Sequence, residues 1–149
     1  MRSAVPILAA LLFVGACDTA PAEPRVTVEG AVVMLPIIPG RPGAAYFVLR
    51  TNNDPTRLTG VASPRIGRIE LHETVSDGSV ARMRPLESTT FAPDEPLAFA
   101  AGRRHAMLFD IDPAARAGGT IPLIFSFDPA PPVTVEAEVR TAGAAHEGH

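Results

Sequence analysis

The chain has 149 residues, a formal net charge of −3 at pH 7, a single cysteine and no tryptophan. That length suits one domain with a proper apolar core, and one cysteine excludes a disulfide within the chain. The mildly acidic balance speaks against a nucleic-acid partner, which would call for a basic face.

In chain order, Arg2 supplies a minimal positive region ahead of the apolar run "AVPILAALLFVGA", which is too short to span a bilayer comfortably as a mature helix. The stretch "VGAC" places small residues directly before Cys17 and resembles a bacterial lipobox. Residues 1–17 therefore read as a lipoprotein signal peptide ending at a lipid-modified Cys17, with ordinary signal cleavage as the alternative. Residues 18–24, "DTAPAEP", read as a tether between anchor and domain. The folded domain is placed at residues 25–140. Residues 141–149, "TAGAAHEGH", lack periodicity and read as a mobile tail.

Within the domain, β-rich runs recur: "RVTVEGAVVM", "AAYFVLRT", "TRLTGVAS", "RIELHET", "ARMRPL", "RHAMLFDI", "TIPLIFSF" and "PVTVEAEV". Glycine, proline or aspartate separates most of them, and the chain holds 12 glycines and 16 prolines. Short strands at this spacing predict an all-β antiparallel sandwich or barrel. The one helix candidate is "DPAARAG" at 112–118, no more than a turn or two.

"LHETVSDGSVARMRP" carries the first chemical signal. Asp77-Gly78 is the natural centre of a two-residue hairpin loop, and that register puts His72 directly opposite Met83. Because Ile69 and Leu71 are the apolar positions of their strand, Arg68, Glu70 and His72 point the other way. Glu70 and Glu73 read as solvated positions. The second signal is "RRHAMLFD", where His105 and Met107 at i and i+2 share one face, ~6.5–7 Å apart along the strand. Ala106 and Leu108 face the opposite side. Met34 ends a strand with no histidine nearby and reads as core.

Two segments thus each offer one imidazole and one thioether, and side-by-side strands would bring four neutral ligands together. Two thioethers with two imidazoles favour Cu(I), whereas zinc would want thiolate, more histidines or carboxylates. A blue-copper electron-transfer site needs a cysteine ligand, which a chain with an acylated Cys17 cannot supply. An oxidase or dismutase would need an open coordination position and a substrate pocket. Nothing in the sequence indicates either, so an enzyme is not expected. Imidazole must be unprotonated to bind, so acid below about pH 6.5 should weaken the site. Arg103 shares the face of His105 and Met107. Unless Glu70 or Asp110 neutralises it, its charge disfavours a filled cationic site and eases release.

The spacing His72-x10-Met83-x21-His105-x-Met107 is similar to the motif of the periplasmic copper chaperone family PCu(A)C. The blocks "AAYFVLRTNNDPTRLTGVASP", "IELHETVSDGSVARMRPLE", "RHAMLFDI" and "IPLIFSFDPAPPVTVEAEV" resemble the family's in the same order. The resemblance implies a cupredoxin-like antiparallel β-sandwich and a metallochaperone. His72, Met83, His105 and Met107 would bind Cu(I) and deliver it to the copper centres of cytochrome c oxidase. It also implies a copper-accepting partner in oxidase assembly and a place on the periplasmic side of a bacterial membrane, lipid-anchored or secreted. The first strand lacks the family's frequent aromatic, and "AAGRRHAM" replaces a more Gly-rich approach, but neither departure touches a ligand. His146 and His149, with Glu147, form a secondary set suited to Cu(II). A copper-buffering lipoprotein and a metal-free structural β-sandwich lipoprotein are the alternatives.

Overall fold

A computed structural model describes residues 25–52 and 54–141. The stretches read as signal peptide and tether, together with Cys17, His146 and His149, lie outside the described residues. Ten strands follow in order: β1 (Val26–Leu35), β2 (Gly43–Thr51), β3 (Thr56–Ala62), β4 (Ile66–Asp77) and β5 (Val80–Pro85), then β6 (Thr89–Phe91), β7 (Leu97–Phe99), β8 (Arg104–Ile111), β9 (Thr120–Asp128) and β10 (Val133–Thr141).

The strands form a single hydrogen-bonded sheet in the order β5-β4-β8-β7-β2-β1-β10-β9-β3-β6, with β8 also pairing β2 directly. Alternation builds its inner face. In β2, Ala45, Phe47 and Leu49 are buried. In β8, Ala106 and Leu108 are buried, which turns His105, Met107 and Phe109 the other way. Phe47 stacks on Phe99 at 4.5 Å between centroids and meets Phe125 of β9 edge-on at 4.8 Å. Strands β2 and β9 are three places apart in the sheet, so this contact shows the sheet closing over its own core. The all-β sandwich is borne out, with both layers drawn from one continuous sheet.

The purely antiparallel arrangement is corrected. β1 pairs β10 in parallel, and β7 meets β8 in parallel. A parallel pair needs a long crossover, and for β1 and β10 the whole intervening domain serves as one. Strands β6 and β7 were not expected either. Each is three residues long and lies in the proline-punctuated stretch "STTFAPDEPLAFAA", too short to show alternation. The helix expected at 112–118 is absent. Asp112 instead accepts a hydrogen bond from the Ala114 N–H at 2.8 Å, and the Ala115 N–H bonds back to the Asp112 carbonyl at 2.9 Å, closing a turn.

Candidate metal site

Strand β4 lies between β5 and β8, so the two ligand-bearing segments are neighbours. On the outer face His72 pairs directly with His105, and Glu70 pairs with Met107. The two imidazoles stack with centroids 6.0 Å apart and planes 17° from parallel.

Met83 is not opposite His72. It pairs with Thr74, and His72 pairs with Pro85. The cause is the turn: Asp77 and Val80 form the last pair, leaving Gly78-Ser79 as the loop. Gly78 takes φ 65°, as the first central residue of a type II′ turn requires, and Ser79 is not in the left-handed region. An Asp77-Gly78 loop of type I′ would have put aspartate there as well. Because the register moves by two residues, Met83 keeps the face of His72 but becomes its diagonal neighbour, ~7–8 Å away. It lies on an edge strand whose every residue is exposed, and is itself 58% exposed.

The His72 side chain is 13% exposed, and its Nε2 lies 3.2 Å from a Glu70 carboxylate oxygen. A carboxylate only accepts, so in the neutral imidazole this contact puts the proton on Nε2 and the lone pair on Nδ1. That Nδ1 is buried and has no hydrogen-bond partner among the described residues. Glu70 is therefore more than the solvated position expected from sequence. It also pairs with Arg68 at 3.2 Å, and the Arg68 guanidinium lies 4.2 Å above the Phe109 ring. With Glu70 so engaged, Arg103 makes no ion pair among the described residues. Its carbonyl accepts from the Thr74 N–H at 2.9 Å, which places it in the row of Met83.

His105 and Met107 open into a groove of about 620 Å³, whose lining includes Met34, Ile37, Ile38, Arg41 and Tyr46. Met34 is thus not core. Val33 of β1 is fully buried, so alternation sends Met34 to the outer face. That signal was present in the sequence and was overridden by the assumption that an isolated methionine is core. Gly43 begins β2 beside the groove, where a Cβ would come within 2.6 Å of the Met34 carbonyl. Among the described residues no three His, Cys, Asp or Glu side chains come together. A metal held here would therefore be held with thioether sulfur, which suits a soft ion.

The LpqE-like family model, a lipoprotein family by its description, matches residues 26–139.

The chain belongs to the LpqE-like family.

An uncharacterized protein of Rickettsia prowazekii, RP573, is 31% identical to this LpqE-like chain over 109 residues. The match covers 72% of the chain but only 56% of the relative, so the chain spans little more than half the length of that protein. Among solved structures, the copper-bound PCuAC domain from PmoF2 superposes with a TM-score of 0.64 at 20% identity, covering 78% of this chain and 93% of that one. Apo-DR1885 from Deinococcus radiodurans gives 0.60 at 24% identity, over 96% and 98% of the two chains. Its Cu(I) form gives 0.62 at 23% identity, over 85% and 83%. At these identities the likeness is one of fold, and the LpqE-like domain has the PCuAC fold.

Proposed function

We propose that this LpqE-like protein is a copper metallochaperone that binds Cu(I) through His72, Met83, His105 and Met107. The observation that carries the reading is the direct pairing of His72 with His105, flanked on the same face by Met107 and Met83. The Nδ1 of His72 has no hydrogen-bond partner among the described residues, which supports a role as a nitrogen ligand. Two PCuAC relatives in fold, PmoF2 and DR1885, have been solved with copper bound, which supports the same cargo here. Neutral soft ligands hold Cu(I) without thiols and release it to a partner that offers thiolates.

In this reading Cys17 anchors the protein to the periplasmic side of a bacterial membrane, and the recipient is a copper centre of cytochrome c oxidase under assembly. The reaction is transfer without turnover. Gathering the four ligands requires the exposed edge strand β5 to bring Met83 inward over Thr74. His146 and His149 supply a separate imidazole pair for Cu(II).

The test is titration with Cu(I) against a competing chelator. One ion per chain, lost when Met83 and Met107 are both changed to leucine, supports the proposal, with X-ray absorption showing nitrogen and sulfur around copper. Unchanged binding in that variant rejects the two thioethers as ligands, and no uptake of Cu(I) by the unsubstituted protein rejects the function in favour of a metal-free lipoprotein.

A further inference from the structure

The outer face holds a third thioether that the four-ligand reading leaves unused. Met34 of β1 pairs with Ala44 of β2, and Ala44 pairs with Met107 of β8. The three residues form one row across neighbouring strands, with two interstrand steps, ~10 Å, from Met34 to Met107. The residue between them is alanine, so the space above it is open, and both methionines line the same groove as His105. Met83 lies on the other side: two interstrand steps and four residues separate it from Met107, on the order of 16 Å. Sulfur is therefore available on both sides of the His105–Met107 pair, and the nearer methionine across the sheet from Met107 is Met34.

We propose that Met34 is a further copper ligand, forming with His105 and Met107 a second coordination set that shares two ligands with the first. The step between the sets is ligand exchange at constant oxidation state. The Cu–N bond to His72 and the Cu–S bond to Met83 break as a Cu–S bond to Met34 forms. No electron or proton moves, and the ion passes from a four-ligand position at the sheet edge to a three-ligand position in the groove. A three-coordinate ion leaves an approach open to an incoming thiolate. The groove, walled by Ile37 and Ile38 at 78% and 60% exposure, is the side from which that thiolate would come.

The inference rests on the proposed copper-binding function, and methionine methyl NMR separates the two. In protein labelled with 13C at the methionine methyls, adding one equivalent of Cu(I) to the Met83→Leu variant should shift the Met34 and Met107 methyls together. X-ray absorption on the same sample should show two sulfurs per copper. Adding Met34→Leu should remove one of those sulfurs and weaken Cu(I) binding about ten-fold or more. Leucine conserves volume, so the fold is kept. An unmoved Met34 methyl, or a sulfur count of one in the Met83→Leu protein, overturns the role of Met34. Failure of copper binding itself would show differently, as a Met107 methyl that does not move in the unsubstituted protein.

Discussion

At the scale of single residues, the site is set by which partner each side chain already has. The Glu70 carboxylate holds the proton-bearing Nε2 of His72 and thereby leaves Nδ1 as the free donor, the outer-shell arrangement that fixes a metal-binding imidazole. It also brings one negative charge beside a site that becomes cationic when filled. Glu70→Ala should therefore lower Cu(I) affinity about ten-fold while leaving the fold intact, as a chelator competition and a melting curve would show together. Arg103 acts in the opposite direction. Among the described residues no carboxylate pairs with it, so Arg103→Ala should tighten Cu(I) binding and slow transfer to a thiolate acceptor. Unchanged affinity and rate would leave Arg103 a bystander. Sequence alternation was enough to place His72, His105 and Met107 on one face, because a strand repeats every two residues. It could not give Glu70 its role, since that depends on which residue of another strand sits opposite.

At the scale of elements, the β4–β5 hairpin decides where the second sulfur lies. Both two-residue loops available in "SDGS" preserve the face of Met83, because they differ by an even number of residues in the register. Its diagonal offset depends on Gly78 being the first loop residue. On the opposite face Glu73 is clamped between Arg84 of β5 and, at 3.9 Å, Arg104 of β8, which ties the edge strand to the sheet. Gly78→Ala places a side chain at φ 65°, where an L-residue pays ~1–2 kcal/mol. The variant should lose that much stability and bind Cu(I) more weakly, whereas Met83→Leu should weaken binding with no loss of stability. Comparing the two by calorimetry and titration separates turn from ligand. Eight of the ten strands were readable from composition, while β6 and β7 are too short to carry a period. Turn type was the least readable feature, since it was settled by the pairing of whole strands.

At the scale of the whole molecule, one open sheet must fold over its own core, and polar ties hold its two layers where local pattern gave no warning. Strand runs mark where the longer strands lie but not which are neighbours, so the parallel β1–β10 pair was invisible in sequence. One such tie joins three parts of the chain. Arg65, between β3 and β4, donates to Asp112 after β8 at 2.9 Å and to the carbonyl of Thr120 at the start of β9 at 3.0 Å. The Ala114 N–H and then the Arg65 guanidinium hold the Asp112 carboxyl below the usual carboxylate range. The unfolded chain therefore binds a proton at Asp112 more readily than the folded one. Stability gained from this group is fully present above the ordinary range near ~4 and is lost as pH falls through the lowered value. Glu138, lowered by Arg140, titrates in the same direction, so total acid sensitivity does not isolate this tie. Asp112→Asn does. Its melting temperature should fall below that of the unsubstituted protein at neutral pH, and the gap should narrow on acidification once Asp112 is protonated in both states of the parent. A gap constant from neutral pH to about 2 would mean that the charge of Asp112 contributes nothing and that the turn is held by hydrogen bonding alone.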